Sequence, residues 1–406
     1  MKIAYLDQYF NTPAMPGGSR AYEAATRLAA RGHEVDVVTS VRESAGGSDW
    51  FVTEERGVRV HWCPVPYANA MNLLQRMRAF AAFAARAVPR TISLAPDLVF
   101  ATSTPLTIAI PGIAASRWHR VPLVFEVRDL WPAVPLAMGA LRSPLTRLPA
   151  LALEWLAYHA STRVIALSPG MAEGVVRRGY PQERVTVIPN GCDLERFDPS
   201  PASAAGFRSS HPELGNGPIV LYAGTLGKAN GVDYLARLAA ATRERLPNAR
   251  FVVIGQGAEE PTVRTVASEL GVLGREFFLY PRMPKQEVAA AFAAASLVTS
   301  VVIDLPELEV NSANKFFDGL AAARPVAVNH GGWQADLLTT HGAGFRLPRD
   351  VSQAAAVLSA WLSDPTRLEA AGSAARRLAE ERFARELLAD QLERVLLEAH
   401  ADRRGS

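Results

Sequence analysis

The sequence predicts an α/β protein built from two doubly wound domains, and three observations predict it. Short apolar runs alternate with helix-patterned segments along nearly the whole chain, as expected of parallel strands buried on both faces. A loop with Pro13, Pro16, Gly17 and Gly18 joins the first apolar run to the first helical one, as in a βαβ unit. The same series then restarts near residue 218.

In order, the first strand is expected at Ile3–Leu6. A helix follows over Ala21–Ala30 and stops at Gly32, and the next strand runs Glu34–Thr39. Further buried strands are expected at Leu98–Ala101, Val121–Val127, Val164–Leu167 and Val185–Ile188. The polar, proline-rich stretch Asp198–Gly217 marks a domain boundary. Beyond it come a strand at Ile219–Ala223, the loop GTLGKANG and a helix from Val232 to about Arg245. Strands at Phe251–Ile254, Phe277–Tyr280, Leu297–Val302 and Val326–Asn329 complete the second series. A long helical region, about Ser373 to Ala401, closes the chain. Such sheets bind ligands at the carboxyl ends of their strands, and a cleft between two facing domains is the default site.

Composition narrows the classes. The 406 residues are 49% hydrophobic and 20% charged, which is globular rather than disordered. A net charge of +3 does not indicate nucleic-acid binding. Two cysteines, Cys63 and Cys192, form no disulfide framework and read as small core residues. The eight histidines show no metal-ligand spacing. Asp7 interrupts the first apolar run too early for a signal peptide, and no spanning helix is expected. A cytoplasmic protein is the expectation.

The most informative segment is residues 311–329, NSANKFFDGLAAARPVAVN. An Asn/Ser pair stands where it could cap a helix. Lys315 and Asp318, three apart, face one side of that helix. A helix start offers N–H groups and a positive dipole end to a diphosphate; Lys315 adds charge, and Asp318 could accept hydrogen bonds from a ribose. An ordinary amphipathic helix with a surface lysine has the same pattern.

The segments PGGSRAYEAATRLAARGHEV, FEVRDLWP, ALSPGM, VIPNGCD, LYAGTLGKANGVDYL, VVIGQGAEE, MPKQEV and NSANKFFDGLAAARPVAVNHGGW occur in this order. Together they resemble retaining GT-B glycosyltransferases of the glycogen-synthase-like superfamily. The likeness is to bacterial enzymes of the colanic-acid and O-antigen fucosamine-transferase type. The resemblance implies two Rossmann-like domains, 1–197 on the acceptor side and 198–384 on the nucleotide-sugar side. It also implies a terminal helix, about 385–406, packing back on the first. It implies sugar transfer from a nucleotide sugar, with a UDP-sugar the expected donor, to a lipid-linked saccharide in cell-surface polysaccharide synthesis, with no further cofactor and no metal. A UDP-sugar 2-epimerase or a non-catalytic subunit of the same fold is the alternative.

Carried onto this chain, the resemblance puts donor contacts at Gly17, Gly18, Gly224, Thr225, Lys228, Arg282, Met283, Ser312, Asn314, Lys315 and Asp318. Arg128 and Asp129, at a strand's carboxyl end, are the candidates for acceptor chemistry: Asp129 to orient or deprotonate a hydroxyl, Arg128 to hold phosphate. A purely structural Arg–Asp pair reads the same way. Two departures stand out. Val310 occupies the place of the first Glu of the family's Glu-x7-Glu, with Glu309 beside it. The usual Arg and Lys of the phosphate loop fall on Thr225 and Asn230, and Lys228 is the charge that remains in that loop.

Met71–Arg90 forms a basic amphipathic pattern. Leu73, Met77, Phe80, Ala84 and Val88 share one arc, with Arg76, Arg78, Arg86 and Arg90 opposite. Val134–Tyr158, with Arg142, Arg147 and Trp155, is a second apolar-basic region. These predict peripheral association with an anionic membrane surface on the inner face; helices packed on the sheet with solvated arginines give the same pattern.

Overall fold

A computed structural model describes residues 1–15, 20–41, 49–67, 71–139 and 143–404. The expected contacts at Gly17 and Gly18, and Arg142 of the second basic region, lie outside the described residues. The chain divides into two units, Met1–Pro189 with Glu386–Ser406, and Asn190–Arg385. The sequence reading placed these limits at 197/198 and 384/385.

The first unit carries β1 (Lys2–Leu6), β2 (Glu34–Val41), β3 (Phe51–Glu55), β4 (Val58–Pro64), β5 (Leu98–Thr102), β6 (Leu123–Val127), β7 (Arg163–Ala166) and β8 (Val185–Val187). Their order across the sheet is β3-β4-β2-β1-β5-β6-β7-β8. All neighbours are parallel except β3 and β4. That hairpin is absent from the sequence reading. Its turn is Arg56–Gly57, both at positive φ, as a tight hairpin turn requires. An arginine in the first of those positions hides the signal.

Three helices matter for the site: α1 (Arg20–Ala30), α2 (Leu73–Ser93) and α3 (Ala109–His119). Gly32, at φ +85°, stops α1 as expected. The terminal helix Arg385–Arg404 supplies Leu388, Leu392, Val395, Leu396 and Ala399 to the core that holds Ile3, Tyr5 and Val37. His33 is bonded to Glu393 at 2.8 Å, and Arg27 to Glu386 at 2.7 Å. The helical region read as continuous from Ser373 is interrupted. A helix over Pro365–Leu378 gives way to a π-turn, Ala379–Phe383, before the terminal helix begins.

The second unit is a six-stranded parallel sheet. Its strands are β9 (Ile219–Ala223), β10 (Arg250–Ile254), β11 (Phe277–Tyr280), β12 (Leu297–Ser300), β13 (Val326–Val328) and β14 (Gly344–Arg346), in the order β11-β10-β9-β12-β13-β14. Alternate residues feed two cores: Val220 and Tyr222 of β9 face one, Ile219 and Leu221 the other. Among the parallel strands of each sheet the order reverses once, at β1/β5 and at β9/β12. The crevice at such a reversal is where ligands of this architecture bind.

Both cysteines are buried and free. Burial pushes their thiols up, Cys63 to about 11 and Cys192 to about 12, which leaves them inert core residues.

The first unit also buries an ion pair. Glu126 on β6 is 1% exposed and takes Arg20 Nη2 at 2.8 Å and Nε at 3.1 Å. Arg20 also donates to the carbonyls of Ile188 and Pro189. Burial works against ionisation of Glu126, but the charge and hydrogen bonds of Arg20 override it and hold the carboxyl below its usual range. Arg20→Ala therefore strands a buried carboxylate, and denaturant unfolding should register a loss of about 3–5 kcal/mol. The double replacement Arg20→Met with Glu126→Leu should recover most of that loss.

Candidate active site

In the second unit the candidate residues gather at the carboxyl ends of β9 and β12. The helix Asn314–Ala321 begins after a loop from β12. The sequence reading assigned its cap to the Asn/Ser pair, and the structure corrects this. The N-cap is Ala313, with no side-chain hydrogen bond. Asn311 Nδ2 donates to Leu308 O at 2.7 Å, and Ser312 Oγ accepts from Asn190 N at 3.1 Å. Both polar side chains hold the approach loop, so neither occupies the helix start. Asn314 is exposed there.

One residue further, Lys315 reaches back to the end of β9. Its Nζ lies 4.8 Å from the Tyr222 ring centroid, within cation–π range. Gly224 makes room for it: a Cβ there would stand 2.7 Å from Lys315 Cε and 3.3 Å from Nζ. Burial lowers Lys315 to about 8, against the pull of Asp318. Asp318 lies on the same helix face. Burial raises it to about 7, with Arg385 and Arg196 working downward, Asp193 upward and Lys315 downward. The two groups thus titrate close together, near neutral pH.

The remaining donor candidates are more dispersed. Thr225 and Lys228 are exposed on the loop after β9. Tyr222 OH donates to the Thr225 carbonyl at 2.8 Å and so shapes that loop. Lys228 opens a short turn that ends at Gly231, at φ +53°. Arg282 is exposed and Met283 half-buried after β11, the edge strand on that side. Glu309 is committed elsewhere: its Oε1 accepts from Gly331 N at 3.1 Å. It ties the loop before the helix to the loop after β13.

In the first unit Arg128 and Asp129 follow β6. Arg128 N donates to Ser103 Oγ at 3.0 Å, and its Nη1 lies 3.8 Å from Asp7 Oδ2. Asp129 is exposed and accepts from Thr104 Oγ1 at 3.0 Å. Desolvation by surrounding protein raises its carboxyl, while Arg128 and the Thr104 hydroxyl lower it. Arg128 therefore pairs with Asp7 of β1's carboxyl end, not with its neighbour alone. The sequence reading used Asp7 only to exclude a leader, and passed over Arg20 and Glu126. Position at a parallel strand's carboxyl end was the signal available for Asp7 and Glu126.

Among the described residues, no cluster of three or more His, Cys, Asp or Glu could hold a metal ion. The second unit offers Lys315, Asp318 and backbone amides at a helix start; the first unit, by itself, offers Arg128 and the hydroxyl-bonded Asp129. Such a set can bind a diphosphate and a diol and can polarise a hydroxyl.

Comparison with known proteins fits this chemistry. Residues 17–191 match the family described as "Glycosyl transferase 4-like domain", and residues 217–364 match "Glycosyl transferases group 1". D-inositol 3-phosphate glycosyltransferase of Xylanimonas cellulosilytica is 30% identical over 391 residues, covering 90% of this chain and 88% of that one. The putative colanic acid biosynthesis glycosyl transferase WcaI of Escherichia coli K12 is 24% identical, over 66% of this chain and 69% of its own. The crystal structure of Anabaena Alr3699/HepE in complex with UDP superposes with a TM-score of 0.73 at 20% identity, covering 98% of this chain and all of that one. That likeness identifies the fold as GT-B. With a strand-order reversal in each sheet, a charged set at each reversal and a family match over both halves, the chain belongs to the GT-B glycosyltransferases with a group 1 C-terminal domain.

Proposed function

We propose that this glycosyltransferase moves a sugar from a nucleotide-diphosphate sugar, a UDP-sugar, to a lipid-linked saccharide, with retention of configuration. The observation that carries the donor reading is Lys315 folded against Gly224 and Tyr222, with Asp318 one turn along. Lys315 and the amides at the helix start would take the diphosphate, and Asp318 the ribose diol. Thr225 and Asn230 carry no charge where relatives of this type carry Arg and Lys, so Lys315 supplies the main cation and exposed Lys228 a screened one. Ser312 positions the approach loop. Gly17, Gly18, Arg282 and Met283 stay candidate contacts on position alone.

On the acceptor side, Asp129 would orient the attacking hydroxyl and Arg128 would hold a phosphate of donor or acceptor. The hydroxyl oxygen forms the new bond to the anomeric carbon, the bond to the diphosphate breaks, and the leaving phosphate is positioned to take the proton. The products are a glycoside and UDP.

The membrane reading draws on three adjacent helices. α2 packs on α3, and α3 on the helix Pro144–His159. Their outward faces expose Leu74, Met77, Ile110, Trp118, Leu145, Leu148 and Trp155. Their one carboxylate, Glu154, is buried and paired with Arg178. The sequence-derived arc needs correction: α2 buries Ala79, Phe83, Ala84 and Ala87, and Arg86 and Arg90 turn inward to Pro64 O and His61. Arg78 is the exposed arginine of that helix, with Leu74 and Met77. No helix among the described residues is long and apolar enough to cross a membrane. Exposed apolar side chains on adjacent helices, with exposed Arg78 among them, suit an anionic bilayer surface, and this supports a location on the inner face of the membrane.

Asp318→Ala should leave the protein folded and lower kcat/KM about 10- to 100-fold, the worth of hydrogen bonds to a charged group. UDP affinity, followed by calorimetry, should be greatest between the Asp318 value of about 7 and the Lys315 value of about 8. It falls below as Asp318 protonates and above as Lys315 loses its charge; Asp318→Asn should remove the acidic limb. Unchanged kinetics in Asp318→Ala contradict the ribose role, and conversion of UDP-sugar alone to an epimer contradicts transfer. In flotation with phosphatidylglycerol vesicles the wild type should travel with the lipid, and Leu145→Ser with Leu148→Ser should reduce that severalfold. Equal recovery in the unbound fraction with and without vesicles contradicts the membrane reading.

A further inference from the structure

Three aromatic rings, none of them assigned a role above, meet at the carboxyl-end side of the first sheet. Tyr9 lies three residues beyond β1 and Tyr67 three beyond β4. Phe80 is on α2, the helix that follows β4. The Tyr9 and Tyr67 ring centroids are 4.8 Å apart, and Tyr67 stacks on Phe80 at 5.9 Å with 23° between planes. Tyr9 and Phe80 meet edge-on at 6.5 Å. The Arg76 guanidinium lies 6.0 Å from the Tyr67 centroid.

All three rings keep part of their surface exposed. The loop under Tyr9 is fixed. Tyr9 N donates to Asp7 Oδ1 at 3.0 Å, the Tyr9 carbonyl accepts from Asn11 Nδ2 at 3.0 Å, and Gln8 Nε2 lies 3.4 Å from the Tyr9 hydroxyl. Gln8 is fully buried and its Oε1 has no hydrogen-bond partner. Stacked rings left partly open and carrying hydroxyl and guanidinium groups at their edges match a sugar. The apolar C–H face of a pyranose lies on an aromatic face, and its hydroxyls reach polar groups at the rim.

The sheet order supplies the distance. Asp129 follows β6, which is two strands from β1 and four from β4. At about 4.8 Å per strand, the ends of β1 and β4 lie roughly 10 and 19 Å from the end of β6, which Asp129 follows. One sugar ring does not span that gap. We propose that Tyr9, Tyr67 and Phe80, with Arg76 at the edge, bind a sugar of the acceptor other than the one that reacts. The inference rests on the saccharide-acceptor reading and makes this protein select acceptors already at least two sugars long. The exposed Leu74 and Met77 start the same helix, so the lipid end of such an acceptor has an apolar surface beside the platform.

The test uses the full chain and saturation-transfer NMR. The probes are methyl glycosides, disaccharides and trisaccharides of glucose, mannose, galactose and N-acetylglucosamine. At least one di- or trisaccharide should bind the wild type, with transfer to its ring C–H protons. Its Kd should rise about tenfold or more in Tyr67→Leu, which keeps an apolar side chain but removes the ring, and Tyr67→Phe should retain binding. Circular dichroism and a UDP titration of the same samples check the fold and the donor site. Binding of none of the probes, binding that survives Tyr67→Leu, or monosaccharides bound as tightly as trisaccharides overturns the platform while an intact UDP response leaves the transferase reading standing. Loss of the UDP response from the wild type would instead strike the donor reading.

Discussion

Lys315 is a half-buried cation at the carboxyl end of β9, and the candidate donor residues are arranged around it. A desolvated ammonium needs something in exchange for its hydration. Here it has the face of Tyr222, a carboxylate one turn along its own helix and a glycine that lets it lie against the end of β9. Burial outweighs the pull of Asp318 and leaves the lysine depressed to about 8, so a further negative charge beside it would be favourable. A diphosphate would provide it, beside the amides of a helix start that has no side-chain cap. The polar residues that might have capped that helix are drawn off to Leu308 and Asn190. In this account the phosphate charge comes mainly from Lys315 on the helix side of the crevice, and the loop side adds only the exposed Lys228.

The first unit handles charge in the opposite way. Glu126 is buried and bonded by Arg20 and Thr102, and Arg20 in turn ties α1 to the chain beyond β8. Nothing in that arrangement is left over for a ligand. Asp129, four positions along counting both ends of the segment, is exposed and carries a single hydroxyl bond to Thr104. Two carboxylates on one strand end are thereby separated into a structural group and a reactive candidate by burial and partners alone. Arg128 sits between them, facing Asp7 across the strand-order reversal.

Much of this was legible in the sequence. The parallel strands are continuous apolar runs, and such runs announce themselves; β5 and β6 are buried at every position. Lys315 and Asp318 were found from helical spacing, which the structure keeps. What escaped depends on tertiary partners. Ser312 looks like a cap in a local reading, and only the distant Asn190 says otherwise; Asn311 is drawn to Leu308, three residues back, by a local turn. Arg86 and Arg90 fall on the polar arc of a helical wheel, yet Pro64 O and His61 draw them inward. The β3–β4 hairpin was missed because Arg56 stands where an Asn or Asp would have signalled the turn. The aromatic group of Tyr9, Tyr67 and Phe80 comes from three separate segments that only the sheet order brings together.

The measurement that bears most directly on the account is a thermal-shift titration with UDP, GDP, dTDP and ADP, on the wild type and on Lys315→Met. A ligand that binds only the folded state raises the midpoint according to its affinity and excess. The account predicts a selective rise with UDP in the wild type, lost in Lys315→Met, whose own midpoint stays at or above that of the wild type because a buried charge has been removed. No shift with any nucleotide, or a full shift in Lys315→Met, would contradict it.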